Sequence, residues 1–266
     1  MMKIGFLITA RLKSSRLPFK VLMDLNGKTV IERIIDRAKR IQDISEIVVC
    51  TSVNPQDKPL VDLAKKNDVY YFNGSEEDVL KRLLDAAHFF DLDYFIGITA
   101  DNPLFTIHYS NRIVDVLKRK HPDYVKLKGL PFGTATYGLK VKALEVVCKI
   151  KTIVDTEIWG SLVDRPSVFD VETIKVDDVL NHPEYRLTLD YIKDYQLINH
   201  IYSNVSFNEV VNLYNLIEYL NENPDIAKIN SDCVQKTIDE DLKKKIEKNY
   251  EENIEEIKRI KEKIYP

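Results

Sequence analysis

The chain has 266 residues, of which 44% are hydrophobic and 30% charged, and its net charge is −3. This composition is typical of an ordinary globular protein with one or two domains. The near-neutral balance argues against a nucleic-acid-binding protein, which normally presents a broad basic surface. No apolar run is long enough to span a membrane. We therefore expect neither nucleic acid nor a membrane among the partners.

The three cysteines, Cys50, Cys148 and Cys233, are far apart and lack the spacing of a metal site. They predict reduced thiols in a cytoplasmic protein. The short apolar run at the N-terminus meets Arg11 directly, which is not the pattern of a signal peptide.

Residues 4–22 are the most informative stretch. Residues 4–8 are apolar and predict a buried strand, and a polar, basic loop follows at once. The cations of this loop are Arg11, Lys13, Arg16 and Lys20. Ligands of open α/β sheets bind beyond the carboxyl ends of strands, and such cations suit a polyphosphate. The pattern predicts a phosphate-binding loop, with a solvated turn or a nucleic-acid contact as the alternatives.

Strand and helix patterns alternate along the rest of the chain. Further strands are predicted at 46–51, 69–72, 93–99, 124–127 and 168–174. Helices are predicted at 30–41, 58–67, 107–120, 154–162 and 207–221. This alternation predicts an α/β fold with a mostly parallel sheet flanked by helices. A charged, amphipathic helix over 239–264 should pack on the body or on a partner. We expect a domain over 1–205 and a helical extension over 206–266.

Two acids follow strand-like segments and are candidate metal ligands. Asp101 comes directly after the predicted strand 93–99, and Asp190 ends an alternating run that begins at Arg186. Mg²⁺ is often held by one or two carboxylates together with substrate phosphates. Asp101 could instead only start a turn, and Asp194 is interpreted as a helix cap. In residues 73–82, Ser75 predicts a helix N-cap closed by Asp78, with Arg82 one turn further on.

Several of these segments carry a family resemblance. Residues 10–22, ARLKSSRLPFKVL, followed by Asn26-Gly27-Lys28, resemble the N-terminal signature of the sugar cytidylyltransferases. These are the CMP-ulosonate and CMP-sialate synthetases, and the spore-coat polysaccharide (SpsF-like) branch is closer still. Related guanylyl-, uridylyl- and thymidylyltransferases usually have a glycine-rich loop here, whereas this chain has no glycine between Gly5 and Gly27.

Three further motifs extend the resemblance. Residues 74–82 are similar to the second signature of the SpsF-like branch, which lines the nucleotide site. Residues 100–104 resemble Gly-Asp-x-Pro-Leu, whose aspartate binds magnesium, although Ala100 replaces the glycine. Residues 186–194 resemble Arg-Leu-Thr-Val-Asp-Thr-Pro-Glu-Asp, with residues 191–193 departing from it. A family segment that faces the acceptor usually has acids where this chain has Ala135 and Tyr137.

The resemblance implies a Rossmann-like nucleotide-diphospho-sugar transferase fold with a C-terminal helical extension. It implies transfer of a cytidylyl group from CTP to a small sugar-like acceptor, with Mg²⁺ as cofactor. Asp101 and Asp190 would bind the metal, and Lys20 and Arg11 would be catalytic. The nucleotide would be bound by Ala10, Arg11, Ser15, Arg16, Lys20, Ser75, Asp78 and Arg82.

Two other functions remain open at this point. A glycosyltransferase that uses a nucleotide sugar would usually show Asp-x-Asp where this chain has Asp101-Asn102-Pro103. A non-catalytic nucleotide-binding protein is the second alternative. The acceptor could be an ulosonic or nonulosonic acid, a sugar phosphate or a small phosphorylated polyol or acid. In many relatives the region of 154–162, with Glu157 and Trp159, contributes to a dimer, so a homodimer is possible; a packed aromatic is the alternative.

Overall fold

A computed structural model describes residues 2–154, 158–206 and 210–265. Within these residues one seven-stranded sheet has the order β3-β2-β1-β4-β6-β5-β7. Its strands are β1 (Ile4–Thr9), β2 (Glu46–Ser52), β3 (Tyr70–Gly74), β4 (Tyr94–Thr99), β5 (Tyr124–Lys128), β6 (Tyr137–Lys140) and β7 (Val171–Lys175). Only β6 runs antiparallel to its neighbours β4 and β5; the other pairs are parallel. The mostly parallel α/β sheet is therefore confirmed.

Helices cover both faces of the sheet. They are α1 (Val30–Ala38), α2 (Lys58–Lys66), α3 (Val79–Phe89), α4 (Ile107–Lys120), α5 (Val141–Ile150), α6 (Gly160–Val163), α7 (Ile192–Asn204), α8 (Leu213–Glu222), α9 (Pro224–Ala227) and α10 (Glu240–Ile264). None of them, among the described residues, is both long and apolar enough to cross a membrane.

The side chains of β1 point alternately to the two faces of the sheet and contribute to two hydrophobic clusters. Ile4, Phe6 and Ile8 belong to one cluster, with side chains of α1, α4, α7 and α8, whereas Leu7 belongs to the other, with α3, α5 and α10. Because successive strand residues point to opposite faces, a continuous apolar run fits a sheet that is buried on both sides. The helical extension contributes to both clusters.

The C-terminal helix α10 packs on the body of the same chain. Ile246, Tyr250 and Ile257 are buried on its inner face. In the last turn, Lys261 donates a hydrogen bond to Asp123 Oδ2 at 2.7 Å. The spacing of its apolar residues predicted the helix, and the structure decides between the two predicted locations in favour of the body.

Several predicted elements differ from the observed ones. The residues 186–190 pair only through an isolated bridge between Arg186 and Phe132 and form no strand. The N-cap of α3 is Asp78 rather than Ser75, because the Asp78 side chain accepts from the Lys81 N–H. Predicted helix 207–221 begins at Leu213 in α8, and its residues 207–209 lie outside the described part.

The predicted helix over 154–162 is confirmed only at residues 160–162, and it is wrong at residues 154, 158 and 159. Only α6 is helical there, and 155–157, including Glu157, lie outside the described residues. Trp159 is buried, with its ring centroid 4.8 Å from that of Tyr137. The aromatic thus packs within the chain.

Candidate active site

The carboxyl ends of β1 and β4 place the two main candidate segments side by side. Thr9 and Thr99 are partners in the parallel pair, and the Ala100 N–H donates to the Thr9 carbonyl at 2.9 Å. The basic loop therefore begins next to Asp101. The chain passes from β1 to β2 on one side and returns as β4 on the other, so this edge is the switch point at which open α/β sheets bind ligands.

A second connection brings Asp190 to the same place. The Leu189 N–H donates to the Asp101 carbonyl at 2.8 Å, and the Leu187 N–H donates to the Phe132 carbonyl at 2.7 Å. Gly133 lies at this crossing with φ 91°, and a Cβ there would approach the Thr188 nitrogen to 2.5 Å. Only a glycine fits so close a backbone contact at positive φ. Residues 187–189 are thus held by backbone hydrogen bonds to two neighbouring loops.

Lys20 stands between the two acids. Its Nζ donates to Asp101 Oδ2 at 2.7 Å and to Asp190 Oδ1 at 2.8 Å. Lys20 starts a short 3₁₀ turn, Lys20–Leu22, directly after Phe19, which has the left-handed φ of 57°. That turn ends the loop and directs the lysine back towards the sheet. Lys20 is only 9% exposed.

Lys20 and Asp101 stabilise each other in their charged forms. Burial alone would lower the pKa of Lys20, but the charges of Asp101 and Asp190 raise it above its ordinary value. Burial would raise the pKa of Asp101, yet the attraction of Lys20 and hydrogen bonds from Lys20 and Thr99 lower it. Lys20 thus joins Asp101 and Asp190 in a triad at the carboxyl edge of the sheet.

Two arginines complete the surroundings of Asp190. Arg16 Nη2 donates to Asp190 Oδ1 at 2.8 Å, while Arg186 Nη2 donates to Asp190 Oδ2 at 3.0 Å. Arg16 Nη1 is buried and has no hydrogen-bond partner among the described residues. A donor of this kind is available to an incoming phosphate oxygen.

The two acids fit a divalent cation. Carboxylate oxygens of Asp101 and Asp190 converge on one point, where the Lys20 ammonium supplies the positive charge. Oxygen ligands of this type are those that Mg²⁺ prefers. No group of three or more His, Cys, Asp or Glu side chains arranged for a metal occurs in the described ranges. Further ligands would therefore come from phosphates and water.

Arg11 and Arg82 lie together at the carboxyl end of β3. Arg11 Nη1 donates to the Glu76 carbonyl at 2.5 Å, and Arg82 Nη1 donates to the Ser75 carbonyl at 2.8 Å. Arg82 is fully buried, and its Nε and Nη2 have no hydrogen-bond partner within the described residues. Burial first, and then the nearby Arg11 charge, lower the pKa of Arg82 to about 10.

Asp78 and Ser75 shape the turn that carries these contacts. Ser75 Oγ accepts from the Asp78 N–H at 3.1 Å, and Asp78 forms an ion pair with Lys151 at 2.5 Å. Both therefore have structural partners here. The exposed Ser15 and the buried Ala10 belong to the loop itself.

Sequence reasoning assigned no role to Arg186, Thr99 or Lys151. Thr99 Oγ1 donates to Asp101 Oδ1 at 2.6 Å, and Lys151 pairs with Asp78 across 73 positions of sequence. Arg186 could have been noticed, because it stands four residues before Asp190. Tyr137, at a position where the family usually has an acid, is packed over Gly97, whose added Cβ would meet the tyrosine ring at 2.1 Å.

Comparison with known proteins identifies the family. The sequence model described as "Cytidylyltransferase" matches residues 6–207. This chain belongs to the cytidylyltransferase family. It is a nucleotidyltransferase, as the motifs of the basic loop and the two acids predicted.

The relatives cover nearly the whole chain. "Uncharacterized protein MJ1063" of Methanocaldococcus jannaschii is 32% identical over 238 residues, which are 89% of this chain and 98% of that protein. The spore coat polysaccharide biosynthesis protein SpsF of Bacillus subtilis is 28% identical over 84% of this chain and 96% of its own length. The predicted resemblance to the SpsF-like branch is thereby confirmed.

A solved structure shows the same fold. The cytidylyltransferase from Leptospira borgpetersenii superposes with a TM-score of 0.80 at 26% identity, over 90% of this chain and all of that one. The Rossmann-like nucleotidyltransferase architecture is confirmed by this likeness.

Proposed function

We propose that this chain is a Mg²⁺-dependent cytidylyltransferase that transfers CMP from CTP to a small sugar-like acceptor. The observation that carries the proposal is the convergence of Asp101 and Asp190 on Lys20 at the carboxyl edge of β1 and β4, in a chain of the cytidylyltransferase family. The name of the relative SpsF supports a role in making an activated sugar for a surface polysaccharide.

In the proposed reaction an acceptor oxygen attacks the α-phosphorus of CTP in line. The new oxygen–phosphorus bond forms as the bond to pyrophosphate breaks, and pyrophosphate carries the electron pair away. Such transfers need little covalent work from the protein, so positioning and charge neutralisation dominate. When bound by Asp101 and Asp190, Mg²⁺ would offset negative charge on the triphosphate.

The basic side chains divide between two tasks in this proposal. Lys20 and Arg16 lie beside the two acids and would turn to the phosphates when these arrive, so that Lys20 stabilises charge in the transition state. Arg11, at the Glu76 carbonyl, would hold the other end of the triphosphate. Cations fixed in a desolvated site need little reorganisation during the reaction, which is the source of their effect.

The base would be recognised on the side of β3. The backbone of 7–10 and Ser75 are proposed to contact it, while Asp78 and Arg82 shape the turn. Arg82 Nε and Nη2 have no hydrogen-bond partner in the part of the chain that the structure describes, which supports a hydrogen-bond acceptor of the nucleotide at this point.

Pyrophosphate release tests the proposal. The protein would be assayed with Mg²⁺, each of the four nucleoside triphosphates, and a panel of sugar acids and sugar phosphates. We expect release with CTP and one acceptor class. Release of a nucleoside diphosphate from a nucleotide sugar would contradict the proposal in favour of a glycosyltransferase.

If no pyrophosphate is released, a binding measurement with the same nucleotides shows whether the right acceptor was absent from the panel or the protein binds no nucleotide. We expect CTP to raise the melting temperature more than the other nucleotides do. Absence of binding by all four would contradict the assignment of the site.

A further inference from the structure

The helical extension reaches the candidate site through a buried polar network. Asn230, which is 1% exposed, donates its amide to the Arg186 carbonyl at 2.9 Å and to Asp194 Oδ1 at 2.7 Å. Gln235 Oε1 accepts from Arg186 Nη1 at 2.5 Å. Asn230 and Gln235 both lie beyond residue 207, where the match to the family model ends.

Arg186 is the link between this segment and the acid. Its Nε donates to Asp194 Oδ1 at 2.9 Å, and its Nη2 donates to Asp190 Oδ2 at 3.0 Å. The rings of Phe132 and Tyr191 lie 5.6 and 5.8 Å from the guanidinium carbon. A planar guanidinium that donates to fixed acceptors along its edge and lies against two aromatic rings has little freedom to turn.

The two oxygens of Asp190 therefore have different kinds of partner. Oδ1 accepts from Lys20 and Arg16, which a triphosphate would attract away. Oδ2 accepts from Arg186, whose Nε, Nη1 and Nη2 also donate to the side chains of Asp194 and Gln235. The contact with Arg186 would therefore remain when a triphosphate binds, and it would keep the carboxylate in one orientation.

We propose that the segment 230–235 positions Asp190 through Arg186, so that the extension takes part in building the active site. Gln235 holds the guanidinium directly, and Asn230 holds the Arg186 backbone and Asp194, which accepts from the guanidinium. The guanidinium in turn orients the Asp190 carboxylate. The inference rests on the proposed function, since it assigns Asp190 to the metal. Partners that orient a ligand in this way typically matter about 10- to 100-fold in metal affinity or activity.

Single substitutions in the full chain test the inference. Gln235→Leu removes the acceptor of Arg186 Nη1, while Gln235→Glu keeps an acceptor there. Asp232→Asn is the matched control, because Asp232 lies on the same segment and pairs with the exposed Lys193 instead of Arg186. Each protein is assayed for kcat and KM with CTP, and titrated with Mn²⁺ in the presence of CTP without acceptor, followed by electron paramagnetic resonance.

We expect Gln235→Leu to lower kcat about tenfold and to weaken Mn²⁺ binding by a similar factor, at the lower end of the range for such partners. KM for CTP should change little, because the nucleotide contacts are intact. Gln235→Glu should recover most of both losses, and Asp232→Asn should equal the wild type. Gln235→Asn, which shortens the side chain without adding an apolar group, takes the place of Gln235→Leu if that variant does not fold.

Wild-type kcat and Mn²⁺ binding in Gln235→Leu would overturn the inference, as would equal losses in Asp232→Asn. A wild-type protein that releases no pyrophosphate from any nucleotide would instead contradict the proposed function. The Mn²⁺ titration still decides the positioning role in that case, because it requires no turnover.

Discussion

Lys20 holds the two acids of the site together. If Lys20 is removed, Asp101 and Asp190 face each other at the edge of the sheet without the positive charge between them. Two carboxylates that close repel, so one of them would be driven towards protonation or away from the other. In the free protein Lys20 thus offsets the repulsion between the two carboxylates. In the proposed reaction it offsets the negative charge of the triphosphate.

We predict that Lys20→Ala lowers the rate of pyrophosphate release by about 10²–10³-fold, the usual cost of one lost electrostatic contact in a transition state. Lys142→Ala is the control, because it makes the same change at an exposed lysine of α5, outside the basic loop. The control should keep a near wild-type rate in the same assay. Equal rates for Lys20→Ala and wild type would remove Lys20 from the mechanism.

The start of α1 illustrates how an element is fixed by a local sequence pattern. Thr29 is the N-cap, its Oγ1 accepts from the Glu32 N–H, and Glu32 Oε2 accepts from the Thr29 N–H at 2.9 Å. Lys66 of α2 donates to Glu32 Oε1 at 3.0 Å. Burial opposes ionisation of Glu32, but these donors lower its pKa to about 2. The carboxylate therefore ties α1 to α2.

Glu32→Gln should lower the free energy of unfolding at pH 7 by about 1–2 kcal/mol, less than the full worth of the pKa shift because Lys66 is exposed and screened. Since the folded pKa lies below the unfolded one, this stabilisation is present above pH 4.5 and is lost as the pH falls towards 2. Urea denaturation of both proteins between pH 7 and pH 3 measures it. A difference that grows on acidification would contradict the assignment.

Elements with a strong local signal could be predicted from sequence, and those defined by distant contacts could not. The apolar run of β1 and the periodicity of α4 were sufficient, and helix α4 has the predicted bounds. The alternation of 186–190 also fits a strand, but the partners of Arg186 at Asn230 and Gln235 are more than 40 residues away. Local alternation cannot distinguish a strand from a loop that is held by contacts with distant residues.

The same limit applies to the candidate site. Lys20, Asp101 and Asp190 could be selected because each follows or ends a strand-like segment in a recognisable motif. Their mutual distances depend on the β1–β4 pairing and on the Leu189 contact with the Asp101 carbonyl. Ser75 was a plausible helix cap by residue type, yet Asp78 took that role because α3 begins later.

At the scale of the molecule, the extension and the body share their hydrophobic cores. Leu216 and Ile217 of α8 belong to the cluster that contains Phe6, while Ile257 of α10 belongs to the cluster that contains Leu7. Separation of the two parts would expose both clusters to water. We infer that they fold together.

Ile257→Ala should destabilise the whole protein by about 2–5 kcal/mol, as expected for a large-to-small change in a core. Glu256→Ala, at an exposed neighbouring position, should change stability little. Denaturation followed by circular dichroism measures both. A second, separate transition in Ile257→Ala would mean that α10 melts independently of the body.

A fragment of residues 1–205 tests the same inference by removal. We expect it to lack a cooperative unfolding transition, because it would lose the side chains of α8 and α10 from both clusters. A folded, cooperative fragment would show that 1–205 is an independent domain.

The role of the triad is tested most directly by pyrophosphate release from CTP with the wild type and Asp101→Asn. Asp62→Asn is the control, because it makes the same chemical change on the exposed face of α2. We expect a loss of about 10²-fold or more for Asp101→Asn and an unchanged rate for Asp62→Asn. Wild-type turnover by Asp101→Asn would contradict the claim that the triad at the carboxyl edge of β1 and β4 is where the nucleotidyl group is transferred.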